Sequence, residues 1–135
     1  MRKLLSTKYS PGAFSAAMLA LRLILGILIM HHGYGKLIHF NETAQQMQGF
    51  FGMSGTVTAS LVIFAEFFCG LFIIIGLFTR LAAIPLIIVM CVVVFKVTHN
   101  DVFGQGEMAA LYLGGFIVLL LVGPGRVSVD SMIGK

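Results

Sequence analysis

Four apolar runs, residues 13–30, 57–78, 81–95 and 108–123, succeed one another along the chain and constrain its fold more than any other feature. Crossing the hydrocarbon layer of a membrane takes about 20 residues of helix, with about 17 as a working minimum. The first run is interrupted only by Arg22 and extends as helix to about residue 37, and the second is interrupted only by Glu66. The third continues through Lys96 to about residue 98, because a lysine stem can lie along apolar surface while its amine reaches water. The third and fourth runs reach spanning length only with their polar flanks. In lipid every backbone N–H and C=O must be satisfied inside the segment, so the runs are helices. The expected architecture is all-α: a membrane four-helix bundle with spans at 13–37, 57–78, 81–98 and 108–123 in one domain of 135 residues.

Composition points the same way. Hydrophobic residues make up 59% of the chain and charged ones 10%, against about 25% charged in an ordinary soluble domain. A water-soluble fold of this size leaves roughly a third of its chain surface exposed and has no place to hide so much apolar area. The net charge of +4 comes mostly from segment ends, and no basic tract with interleaved aromatics marks a nucleic-acid surface. Cys69 and Cys91 each sit in an apolar run without a C-x-x-C spacing and read as free buried thiols. Arg2, Lys3 and Lys8 precede the first run as in a signal peptide. That run, however, ends in His31 and His32 with no small-residue cleavage site, so it is expected to be retained.

The second and third runs are separated only by Thr79 and Arg80, which predicts a tight antiparallel hairpin with Pro85 near the first turn of the third helix. Residues 39–56 form the longest connection. Asn41 is placed to cap a short interfacial helix over 42–48, which Gly49, Gly52 and Gly55 then end. If the helices alternate in direction, Arg2, Lys3, Lys8, Arg80, Arg126 and Lys135 share one side, and Lys36 and Lys96 share the other with Glu42, Asp101 and Glu107. The positive-inside rule then puts both termini in the cytoplasm.

Ionisable groups within apolar spans are the candidate functional residues. A charge near the bilayer centre costs at least about 2.5–3.5 kcal/mol unless it is paired or faces a wet cavity. Counting about 1.5 Å per residue from each run's start puts Arg22 and Glu66 at similar depth, which predicts a structural ion pair between them. His32 and Lys36 are neighbours at i, i+4. With Lys96, His99, Glu66 and Glu107 they form a candidate ligand-binding pocket in the outer half of the membrane, to which Tyr34 and Tyr112 can add hydroxyls. Lysines and histidines near span ends also read simply as interfacial residues. His32, His99 and Glu66 have no metal-ligand spacing, so no metal site is expected. Gly26 and Gly33, seven apart, suit close helix packing.

The ordered set of these residues resembles the DoxX family of small bacterial membrane proteins over nearly the whole chain. It runs through Leu21-Arg22-Leu23 with Gly26, then His32-Gly33-Tyr34-Gly35-Lys36-Leu37, then Glu66 with Gly70. It continues through residues 76–83, Gly-Leu-Phe-Thr-Arg-Leu-Ala-Ala, then Met90 and His99, and closes with residues 123–130, Gly-Pro-Gly-Arg-Val-Ser-Val-Asp. The resemblance implies four helices with cytoplasmic termini in the bacterial inner membrane. It also implies membership of a family named for a subunit of a thiosulfate:quinone oxidoreductase, some members of which are linked to complexes that assemble soluble redox partners.

No flavin or nicotinamide fingerprint, haem attachment motif or cluster of cysteines is present, so electrons for any redox chemistry would come from a partner. Catalytic residues are not identifiable. The sequence leads to a redox-associated membrane subunit that binds a quinone-like or other small ligand, surrounded by lipid, with a soluble redox partner and homo-oligomerisation both open. The alternatives are a non-catalytic scaffold and a small-solute or proton transporter.

Overall fold

The computed structural model describes residues 4–134, and among them every regular element is helical. Ser10, in extended conformation, accepts a hydrogen bond from the Ala13 N–H and starts helix α1 (Pro11–Ile38). Pro11 occupies the first helical position, where its missing N–H has no helical partner to lose. At 28 residues α1 is about 42 Å long, more than the hydrocarbon layer requires. Helix α2 (Phe40–Gln46) begins after a one-residue break at His39, earlier than the expected 42–48, and without Asn41 as a cap. Thr43 instead ties it back to the end of α1: its N–H donates to the His39 carbonyl and its hydroxyl to the carbonyls of Lys36 and His39.

A 3-10 turn (Phe50–Gly52) leads to helix α3 (Gly55–Ile75), capped by Ser54. Helix α4 (Thr79–Val97), helix α5 (Glu107–Val122) and the short helix α6 (Val129–Met132), capped by Ser128, complete the chain. The α3–α4 turn lies at Gly76–Phe78, three residues before the expected Thr79-Arg80. Gly76 takes a left-handed conformation (φ 74°), so that its N–H and that of Leu77 fold back onto the Ile73 and Phe72 carbonyls. Because α4 starts at Thr79, Pro85 falls in its second turn rather than its first and deprives the Leu81 carbonyl of a helical donor.

Two stretches widen into π-helical turns, Phe64–Cys69 in α3 and Val93–Val97 in α4. Such turns shift the side chains around them out of the ordinary helical register and recur at functional sites. Thr98 closes the second, its hydroxyl donating to the carbonyls of Val93 and Val94.

The four apolar helices pack around one core, α1 chiefly along α3 and α4 chiefly along α5. Ile29, Ala65, Ile73, Ala83, Leu86, Phe116 and Leu119 lie at its centre. Side chains such as Ile24, Phe64, Ile88 and Leu121 face outward, as a lipid-solvated surface allows. Helices α1, α3 and α4 are long and apolar enough to cross a membrane, while α5 is apolar but shorter, at 16 residues. The start of α1, the α3–α4 turn and the C-terminal tail meet at one end of the bundle, the termini end. Helix α2 and the α4–α5 connection mark the other, the loop end.

Lipid tails are as apolar as leucine, so association of these helices depends on close contact rather than on escape from water. Gly26 lies against Gly70 and Ile74, and Gly33 against the backbone of Glu66 and Phe67. A Cβ on Gly33 would stand 2.7 Å from the Phe67 nitrogen, whereas one on Gly35 or Gly114 would meet nothing within 4 Å. Gly33→Leu is therefore expected to push α1 off α3 at a cost of about 1–3 kcal/mol or more. Gly35→Ala and Gly114→Ala are expected to leave thermal unfolding in detergent unchanged.

Candidate functional site

Two buried ionisable residues organise opposite ends of the bundle. At the termini end Arg22, 2% exposed, turns its guanidinium toward four backbone carbonyls. Its Nε donates to Ile73 O (3.1 Å) and Nη2 to Ile74 O (3.0 Å), while Nη1 donates to both Pro124 O (2.8 Å) and Val127 O (2.6 Å). Ile73 and Ile74 belong to the last turn of α3, whose carbonyls lack full helical partners. A positive charge there also complements the helix dipole. The tail carbonyls of Pro124 and Val127 complete the shell.

Asp130 works beside it. Its Oδ1 accepts from the Phe78 N–H (2.7 Å) and its Oδ2 from the Thr79 N–H (2.9 Å). These are N–H groups at the start of α4, where no local side chain provides a cap. The Asp130 N–H in turn donates to the Gly76 carbonyl. A Cβ on Gly76 would collide with Ser128 and approach the Arg22 guanidinium carbon, so glycine is required there by packing as well as by its positive φ. The closing motif thus caps helices of the core as well as its own short helix. Ser128 performs only the local part, accepting from the Ser131 N–H, and Arg126 stays exposed.

At the loop end the Lys36 ammonium donates to both oxygens of Glu66, at 2.6 Å and 2.7 Å. Glu66 lies within the π-helical turn of α3 and its side chain is 3% exposed, against 30% for Lys36. The expected pairing of Arg22 with Glu66 is therefore corrected: Glu66 pairs with Lys36, and Arg22 binds carbonyls. The depth estimate assumed that each run begins at its own face of a hydrocarbon layer about 30 Å thick, but α1 and α3 are staggered from that alignment. With Gly33 beside Glu66, the residue of α1 level with Glu66 lies 11 positions from Arg22, about 16 Å along the axis. A guanidinium cannot bridge that distance.

Lys36 borders two grooves. One, of about 400 Å³, is polar and opens at the loop end between α1 and α2, with His31, His32, His39, Glu42 and Gln46 on its walls. The His39 Nδ1 lies 3.1 Å from the Gly35 carbonyl. The other, of about 480 Å³, opens sideways between α3 and α4. Apart from Lys36 and Thr58 its lining is apolar, including Phe64 and Ala65 from the first π-helical turn and Val93 and Val97 from the second. His32 also packs edge-on against Tyr112, a buried ring with centroid 6.1 Å away.

Of the candidate pocket residues, the structure brings together His32, Lys36 and Glu66. Lys96, His99 and Glu107 are exposed and line neither groove. Lys96 lies in the widened turn that ends α4 and His99 just beyond it, where the backbone at His99 and Asn100 is left-handed. Tyr34 is exposed. The structure adds His31, His39 and Glu42, and their signal in the sequence is the i, i+4 step joining His31, Gly35 and His39 on one helix face. No described group of three or more His, Cys, Asp or Glu side chains is arranged to hold a metal ion.

Long apolar helices whose buried charges are satisfied inside the bundle define a multi-pass integral membrane protein. The chain belongs to the DoxX family, whose model matches residues 17–99. It is 31% identical over 123 residues to "Inner membrane protein YqjF" of Escherichia coli, an alignment covering 87% of this chain and 92% of that one. It is 28% identical over 134 residues to "Uncharacterized membrane protein Rv3486" of Mycobacterium tuberculosis, covering 88% and 82% respectively. No solved structure matches it.

Removing one partner of a fully buried pair costs about 3–5 kcal/mol, and replacing both by apolar groups costs far less. Glu66→Met or Lys36→Met alone is expected to destabilise the protein by somewhat less than that, because Lys36 is partly exposed. The double substitution should recover most of the loss in detergent melting curves. Arg22→Met leaves several carbonyls without donors and is expected to cost at least about 3 kcal/mol. Arg22→Lys, which cannot reach all four carbonyls, should restore only part of it.

Proposed function

We propose that this chain is a redox-associated subunit of the bacterial inner membrane that binds a quinone-like amphiphile in the groove between α3 and α4. The observation that carries this reading is the Lys36–Glu66 pair at the edge of a groove that is otherwise almost wholly apolar and open toward lipid. Ligand sites of this kind combine apolar walls with a few polar groups that fix orientation. A carbonyl- or hydroxyl-bearing head fits against the Lys36 ammonium, which has a donor to offer, and an apolar tail fits along Phe64, Ile88 and Val92. Two π-helical turns border the same groove, which supports function rather than mere packing.

A bound quinone would supply electron and proton carriage. The chain's own residues would bind and orient it: Lys36 holds the head, Glu66 holds Lys36, and the apolar walls exclude water. Electrons would be delivered by a soluble partner. In this reading all four apolar helices cross the membrane, α5 with the help of its flanks, and both termini are cytoplasmic. The lysine and arginine distribution supports that placement of the termini, and the Escherichia coli relative's name, an inner membrane protein, supports the membrane. A scaffold built on the Arg22–Asp130 network is the second reading, favoured by how much of the tail that network immobilises.

Purified protein in nanodiscs is expected to bind long-tailed quinone analogues, measured by fluorescence quenching or native mass spectrometry. Glu66→Gln, which loosens Lys36, should weaken binding about tenfold or more. A stable Glu66→Gln protein with undiminished binding, or wild-type protein that binds none of the analogues, would decide for the scaffold.

A further inference from the structure

Lys36 stands between two spaces of opposite character. The polar groove at the loop end and the apolar groove open to lipid share this one residue among their walls. A lysine two residues from the end of its helix ordinarily extends its amine outward to water. Here the amine turns inward to Glu66 and is held there by both carboxylate oxygens. Helix α2 and the loop after it cover this level of the bundle, with Gly55 packed on the Ala44 carbonyl and its N–H bonded to Gln48. Water therefore approaches Lys36 by way of the polar groove.

We propose that Lys36 is a proton port: it exchanges protons between the head of a molecule bound in the lipid-facing groove and water at the loop end. This rests on the reading of that groove as an amphiphile site and adds to it a route and a side. In the step, an N–H bond of the Lys36 ammonium breaks and an O–H bond forms on an anionic oxygen of the head. The neutral amine then takes a proton from water in the polar groove, and no electron moves.

Glu66 on α3 keeps the amine in place through both states. His31 and His32 on α1, His39 at the break after it and Glu42 on α2 face the polar groove, and Tyr112 on α5 packs on His32. Helix α4 presents only apolar side chains to the lipid-facing groove. Nothing on these walls connects the pair to the termini end, where Arg22 is engaged with carbonyls.

The test uses wild-type protein in liposomes of known orientation, read by peptide mass spectrometry. A sulfonated, membrane-impermeant succinimidyl acetate added on the loop side is expected to acylate Lys36. A long-chain fatty-acid succinimidyl ester dissolved in the bilayer is expected to acylate it too, and each reagent should block the other. Modification by only one of the two overturns the proposal. A second arm uses a long-chain nitrophenol as probe, whose colour reports its protonation. The bound probe should follow a pH step made on the loop side at least tenfold faster in wild-type protein than in Glu66→Gln. A response set by the termini side, or the same in both proteins, overturns it. Failure of quinone analogues to protect Lys36 from the lipid-borne ester counts against the ligand reading alone, since two-sided access would stand without it.

Discussion

Arg22 holds three separate parts of the chain in one place. The end of α3, Pro124 just after α5 and the tail before α6 each contribute carbonyl oxygen to a single guanidinium. An unsatisfied carbonyl in a nonaqueous interior is costly, and so is an uncompensated charge. Each liability is answered by the other, without a counter-charge in hydrogen-bond contact. Asp130 does the reciprocal work, supplying acceptors to the Phe78 and Thr79 N–H groups at the start of α4. Together the two residues cap one helix C-terminus and one N-terminus across a three-residue turn. This network sets where α3 stops, where α4 starts and how the tail lies beneath them.

The consequences reach the opposite end of the bundle. Once the end of α3 is docked on Arg22, the glycine contacts of Gly26 and Gly33 carry the α1–α3 register upward and leave Glu66 beside Gly33. Lys36, less than one helical turn further along α1, is then the cation within reach. A π-helical turn at Phe64–Cys69 surrounds Glu66 in the same region. The candidate site thus depends on a structural device on the far side of the bundle. The two charged clusters have different chemical characters: the Arg22 shell is buried, with four guanidinium N–H groups on carbonyls, whereas the Lys36 side chain remains partly exposed and borders open space.

That difference separates structural from functional charge in a bundle where both are buried. A guanidinium has a rigid fork of donors well matched to several fixed carbonyls. It keeps its proton, and here four of its N–H groups are committed to carbonyls. A lysine amine on a flexible stem, tethered by one carboxylate, can release that tether or share it. The presence of grooves on both sides of Lys36, and the almost complete absence of polar lining on one of them, gives the pair a setting that a register-fixing ion pair does not need.

Much of this architecture was legible in the sequence. Apolar run length alone required helices in lipid, and Arg22, Glu66, Lys36 and His32 stood out because charges inside such runs must be accounted for. Partnership was a different matter. Depth counted from the start of each run paired Arg22 with Glu66, and only the stagger of α1 against α3, set by glycine contacts and the Arg22 shell, assigned Glu66 to Lys36. Lys96, His99 and Glu107 looked like neighbours of that pair by membrane depth, yet the widened end of α4 and the left-handed backbone after it direct them elsewhere. The remote capping by Asp130, 51 residues beyond Thr79, leaves no periodic trace. A sequence records which groups need a partner in lipid, because that need is a property of each residue. Which partner they find depends on the relative sliding and rotation of helices, which only tertiary packing sets.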